Sequence, residues 1–120
     1  MATVSGGALG NGALIESQDA LFGGRVILFQ PARGMGYRTN VDALLLAWFA
    51  ASSRPAPTAF DLGAGVGAVG LSLLRLGAAT RVVFVEIDES PAALARRNLA
   101  ANQWLSRGEV VRGDVRDIAR

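Results

Sequence analysis

From Ala59 onward the apolar positions switch between two spacings. Short apolar runs at Ala59 to Leu62, Arg81 to Glu86 and Glu109 to Arg112 have the length and glycine-bounded ends of buried strands. Between them, Gly67 to Leu76 and Pro91 to Asn102 carry helical spacing, and Ser90 before Pro91 is a helix-start signal because Ser can cap and Pro fits the first helical position. Strands alternating with helices over short loops predict an α/β fold with a parallel sheet, right-handed crossovers and flanking helices. No internal repeat is visible.

The first half follows a different pattern. Ala20-Leu21-Phe22 and Arg25 to Gln30 flank Gly23-Gly24, which predicts a hairpin with a tight glycine turn, closed off by Pro31. Ala32 to Asn40 is a glycine-punctuated loop, and Thr39 or Asn40 can cap a helix over Val41 to Ala51. Leu44, Leu45, Leu46, Trp48 and Phe49 leave that helix almost no polar face, so it is expected to be buried or covered by a partner. Pro55 and Pro57 break it. The Gly-rich stretch Met1 to Asn11 predicts a mobile tail. The expected organisation is therefore a flexible tail over 1–18, a hairpin, loop and apolar helix over 19–58, and a first half of a Rossmann-like domain over 59–120.

Composition narrows the chemistry. With 51% of its 120 residues hydrophobic, the chain can bury a core. It contains neither Cys nor His, which removes disulfides, thiol nucleophiles, imidazole bases and the common zinc ligands. The sequence pI of about 10.4 does not signal a nucleic-acid surface. All 12 basic residues are Arg, so a net charge of only +2 drives the pI towards the Arg pKa. No apolar run reaches the length of a membrane span and the N-terminus lacks the pattern of a signal peptide, giving a cytoplasmic expectation with no metal and no membrane.

The densest signal is Ala59-Phe60-Asp61-Leu62-Gly63-Ala64-Gly65-Val66-Gly67, an apolar strand running into three alternate glycines before a helix. Such a loop lets backbone approach a ligand closely. Glu86 lies 19 residues beyond Gly67 at the end of the next strand, where a carboxylate can accept from both hydroxyls of a ribose. Asp114 follows the third strand, so all three acids fall at the carboxyl edge of one sheet. Gly65-Val66-Gly67-Ala68-Val69-Gly70 also matches the dinucleotide fingerprint. Electrostatics separates the two ligands: a pyrophosphate gains little from the extra anion of Asp61, whereas S-adenosyl-L-methionine (SAM) has no phosphate and carries a sulfonium and an ammonium. The plainer readings are a tight strand-to-helix turn for the glycines, a solvated strand end for Glu86 and an ordinary Gly-Asp turn for Asp114.

Phe60 to Gly67 resembles the first motif of class I SAM-dependent methyltransferases, Val85-Glu86-Ile87-Asp88 is similar to the acidic end of their second strand, and Gly113-Asp114-Val115 to the following adenine-side motif. Gln30-Pro31 with Gly36 to Ala47 resembles the N-terminal motif of the small-domain methyltransferases, nearest to the bacterial tRNA(Val) adenine-N6 methyltransferases. The resemblance spans about Asp19 to Asp117. It implies a Rossmann-like class I fold, incomplete as it stands, with SAM as cofactor and methyl transfer to the exocyclic amino group of an adenine in tRNA. It implies Asp61, Gly63, Gly65 and Gly67 around the methionine end, Glu86 at the ribose, Asp114 at the adenine, and Ile87 and Val115 beside those two acids as further cofactor-binding residues. Arg38, Thr39 and Asp42 fall where the family closes the site, although Arg38 can be a solvated loop charge and Asp42 a first-turn acid complementing the helix dipole. The family's acceptor motif, Asn or Asp followed by Pro-Pro and an aromatic, is absent from these 120 residues, so no catalytic residue is assigned. Three readings stay open: an RNA-modifying enzyme, a SAM-binding or scaffolding module without catalysis that self-associates or takes up a complementing C-terminal segment, and an NAD-binding oxidoreductase fragment.

Overall fold

Val82 and Phe84 share one face of the segment 79–86 and need cover there, and the fold supplies it by packing helices against that face of a parallel sheet in which this segment is the middle strand. The computed structural model describes residues 2–4, 16–36, 38–39 and 41–118. Its strands β4 (Ala56–Leu62), β5 (Ala79–Glu86) and β6 (Gly108–Arg112) are ordered β4-β5-β6, all parallel. Helices α2 (Ala68–Leu76) and α3 (Glu89–Ala101) are the crossovers, and a short helix α4 (Val115–Ile118) follows β6. The α/β architecture read from the sequence is the one observed. Strands β4 and β5 begin three and two residues earlier than expected, at Ala56 and Ala79. Asp88, not Ser90, occupies the N-cap of α3.

The core lies between the sheet and α2 and α3. Val82, Phe84, Leu71 and Leu99 are wholly buried there, each contributing about 1.5 to 3 kcal/mol by leaving water. Two glycines set the approach. A methyl group on Gly70 would stand 2.2 Å from Cε1 of Phe84, and one on Gly108 2.5 Å from Cδ2 of Leu99. Helix α2 can therefore lie directly on the Phe84 ring only because position 70 has no side chain.

The N-terminal region forms an antiparallel sheet, β1 (Ala2–Val4), β2 (Glu16–Leu21) and β3 (Val26–Pro31). The hairpin expected around Gly23-Gly24 is present, with β2 reaching back to Glu16 and a turn over 22–25. Part of the stretch expected to be a tail pairs instead: Ala2 to Val4 are in register with Asp19 to Ser17. Residues 5–15, with Tyr37 and the capping candidate Asn40, lie outside the described residues.

Helix α3 takes the place of a fourth strand beside β3. Ile27 and Phe29 turn their backbone groups towards it, where Asn98 and Asn102 bind them. Phe29 N donates to Asn98 Oδ1 (2.6 Å) and Asn98 Nδ2 donates to Phe29 O (2.9 Å). Ile27 N donates to Asn102 Oδ1 (2.8 Å) and Asn102 Nδ2 to Ile27 O (2.7 Å). The spacings agree, because four helical residues rise about 6 Å and two strand residues about 6.7 Å. Arg97 adds a guanidinium 3.8 Å over the Phe29 ring and an ion pair with Glu16.

Helix α1 (Val41–Ala51) packs on α2 through its small side chains, and Ala47 is its one buried residue. The expectation of a buried helix is met on one face only. Trp48 and Phe49 are 70% and 76% exposed, with Leu45 and Leu46 beside them. On β4, an edge strand here, Phe60 and Leu62 are 60% and 57% exposed.

Candidate functional site

Strand β4 ends at Leu62, and the chain must then turn back within five residues to start α2. Gly65 (φ 57°) and Gly67 (φ 96°) hold left-handed backbone that side chains disfavour, and an added Cβ at Gly65 would meet nothing within 4 Å. The loop thus leaves open space above it. Two carboxylates pin it from below. Asp61 Oδ2 accepts from Gly70 N (2.9 Å), satisfying an amide in the first turn of α2 where the N-cap, Gly67, has no side chain. Glu86 Oε1 accepts from Gly65 N (2.7 Å) and Oε2 from Asp88 N (2.9 Å), so one side chain joins the glycine loop to the start of α3.

Above the loop is a cavity of about 660 Å³, within the range of small-molecule sites. One wall is the glycine loop with Asp61, Gly63, Gly65 and Glu86; the other is Pro31, Met35, Gly36 and Thr39, with Asp88 and Ser90 at the start of α3. Asp61 is buried, and burial pushes its carboxyl up to about 6; the Gly70 N–H pulls against this and the charge of Glu86 adds to it. A cation in the cavity would favour the ionised form of Asp61.

Among the expected site residues, Asp61, Gly63, Gly65, Glu86 and Thr39 line this cavity together. Gly67 lies in the same loop without lining it. Arg38 turns the other way, donating to Pro31 O and Ser17 Oγ and pairing with Asp19 at 3.4 Å. Asp42 sits in the first turn of α1, outside the lining. Ile87, Asp114 and Val115 are also outside it, since β6 stands two strand spacings, about 10 Å, from β4. The Asp114 carboxylate is held by Arg116, which keeps it below the usual carboxylate range.

Two contributors were not among the expected site residues, although Gln30 belongs to the N-terminal motif. Gln30 Oε1 accepts from Thr39 N (2.9 Å) while its Nε2 donates to Asp19, tying the cavity's outer wall to the hairpin. Asn98 Nδ2 donates to Val66 O (2.9 Å), holding the glycine loop from beneath. Asn98 reads as an ordinary polar residue in sequence, because its partners Phe29 and Val66 lie far along the chain. Gly70 was visible only as part of a fingerprint for a different ligand.

Among proteins of known identity, this chain is 40% identical over 80 residues to a tRNA1(Val) (adenine(37)-N6)-methyltransferase of Klebsiella pneumoniae, covering 65% of this chain and 32% of that protein. The chain therefore spans about a third of the length of the curated relatives it matches. A methyltransferase structure from Geobacter sulfurreducens superposes with a TM-score of 0.57 at 28% identity, over 72% of this chain and 46% of that one. The TYW2 protein of M. jannaschii, solved with AdoMet, shares the fold with a TM-score of 0.69 over 95% of this chain and 48% of its own, at 16% identity. The family model of the methyltransferase small domain matches residues 38–120, the stretch that holds the glycine loop, both pinning carboxylates and all three parallel strands. The chain belongs to the methyltransferase small domain family.

Proposed function

We propose that this chain forms the SAM-binding half of a methyltransferase acting on the exocyclic amino group of an adenine in tRNA. The observation that carries the proposal is the pairing of Asp61 and Glu86 on one cavity at the carboxyl edge of the sheet, over a loop whose Gly65 leaves room for a ligand. That donor set suits a ligand with cationic groups and a ribose. The free lone pairs of Glu86 would take ribose hydroxyls, and ionised Asp61 would face the positive methionine end with Gly63 and Gly65. SAM, when bound, supplies a methyl group activated by its sulfonium. Thr39 and Asp42 are proposed to close the methionine side, with Arg38 bracing that wall from behind through Pro31 O and Asp19, and Ile87, Asp114 and Val115 to face the adenine as the ligand extends towards β6. A target base would have to be unstacked to reach the cavity. The relatives' names support an RNA acceptor, and a cytoplasmic location accords with it. No helix among the described residues is long and apolar enough to cross a membrane.

An NAD site is the poorer fit. Asp61 already holds the Gly70 amide and places its carboxylate at the α2 N-terminus, where a pyrophosphate would have to sit. Calorimetric titration of SAM, S-adenosylhomocysteine and NAD into one preparation tests the proposal. SAM and S-adenosylhomocysteine are expected to bind and NAD not; tighter binding of NAD overturns it.

A second reading has its own observation. The exposed apolar side chains of α1 and the open edge of β4 favour a chain that functions with another polypeptide segment, either a second copy or a complementing C-terminal segment, and serves as a binding or scaffolding module.

A further inference from the structure

The cavity has two walls that belong to different parts of the chain. The outer one follows β3 and the inner one is the glycine loop between β4 and α2. A ligand that touches both is held only as well as the gap between them is fixed, and one buried side chain bonds to the backbone leading into each. Asn98 is wholly inaccessible to water. Its Oδ1 accepts from Phe29 N, one Nδ2 proton goes to Phe29 O and the other to Val66 O at 2.9 Å. Phe29 is two residues before Pro31, which lines the outer wall, and Val66 lies directly after Gly65 on the inner wall. Both donor positions of the amide are thus used, one on each side of the site.

We infer that Asn98 is a positioning residue that sets the distance between the two walls of the cofactor cavity. Asn102, one turn along α3, supplies the internal comparison. It makes the same pair of bonds to β3 through Ile27, and its remaining Nδ2 proton goes to Asn98 O within the helix, not to the glycine loop. If α3 served only to dock the hairpin, the two asparagines would be equivalent. The Val66 bond makes them unequal: loss of Asn98 frees the carbonyl in the middle of the glycine loop, whereas loss of Asn102 leaves that loop held. A hydroxyl or carboxylate in place of the amide cannot donate to both carbonyls.

The inference rests on the SAM reading of the cavity for one of its two measurements only. The 120-residue chain is prepared with Asn98→Ser, Asn98→Asp or Asn102→Ser and studied at a temperature where circular dichroism shows it folded. Amide exchange of Ala64 and Gly67, whose N–H groups bond to Val85 O and Ala64 O, is followed without ligand, and SAM affinity is measured by titration. Both sites should lower the melting temperature. Only the Asn98 variants should speed exchange at Ala64 and Gly67 and weaken SAM binding by about tenfold, the scale of one lost hydrogen bond in a buried setting. Equal exchange and equal affinity in the Asn98 and Asn102 variants would overturn the inference. So would failure of both Asn98 variants to fold while Asn102→Ser folds, since Asn98 would then be a requirement of the core. If the unmodified chain does not bind SAM, the cofactor reading fails by itself, and the exchange comparison still decides the role of Asn98.

Discussion

The carboxylate of Glu86 reaches back across the sheet edge to the backbone of Gly65, accepting its N–H at 2.7 Å. A side chain at the end of β5 thereby shapes the loop after β4, and any ligand contact it makes is added to that duty. Glu86→Ala is expected to weaken SAM binding by about 1 to 3 kcal/mol, through loss of a charged acceptor and of the loop's anchor. Glu86→Gln keeps a carbonyl oxygen for Gly65 and should retain part of the affinity. Calorimetric titration of the two variants checks this, and unchanged affinity in folded Glu86→Ala would remove the residue from the site.

Asp61 gives a pH dependence with two signs. Its carboxyl is raised to about 6 in the fold, above the ordinary value of 3.8, so the folded chain holds more protons between those limits. Its contribution to stability is full at low pH and is lost as pH rises through about 6, at most about 3 kcal/mol for a shift of this size. A cationic ligand needs the ionised form, so SAM affinity should move the other way, falling about tenfold from pH 7 to pH 5. Thermal melts and titrations of the unmodified chain and Asp61→Asn between pH 5 and 7 test both. The variant should lose both slopes.

Two glycines separate folding from binding. Gly70→Ala would drive a methyl into the Phe84 ring, which cannot leave the core, and should destabilise the fold by about 1 to 3 kcal/mol. Gly65→Val meets no atom but must hold a β-branched residue at φ 57° over the cavity, so ligand binding should be lost while the sheet survives. Circular dichroism and titration should therefore disagree for Gly65→Val. Joint collapse would show that the turn itself requires the glycine.

The exposed faces of α1 and β4 predict association. Light scattering should find the 120-residue chain above monomer mass at micromolar concentration, and Trp48→Ser with Phe49→Ser should lower that mass without loss of helix signal. A radiolabelled-methyl assay should find no transfer to tRNA from these residues alone, since none of them matches the motif that holds the acceptor amine.

The elements from β2 to β6 were legible because their strands and helices declare themselves by a local period, while β1 and α4 are too short to show one, and the glycine loop with Asp61 and Glu86 was legible because a close backbone approach restricts residue type over a few positions. Asn98 was not, and Gln30, though part of the N-terminal motif, gave no sign of what it bonds. An amide that bonds 69 residues away leaves no mark on its neighbours, and Asn98 looks like any polar helix residue beside Arg96 and Arg97. Thr39 could be placed by motif, whereas the agent that positions it, Gln30 on the preceding strand, could be seen only in three dimensions.

The asparagine ladder also fixes when the N-terminal region can find its place during synthesis. Phe29 and Asn98 are separated by 69 residues, an interval of roughly 3 to 14 seconds at ribosomal rates of about 5 to 20 residues per second. Through that interval the backbone groups of Ile27 and Phe29 lack the partners that Asn102 and Asn98 give them, and an unpaired strand edge is open to pairing with another chain. The docking of the β2–β3 hairpin is thus a late event governed by the appearance of α3, and substitutions at Asn98 or Asn102 would be felt first as a lower yield of folded protein per chain made.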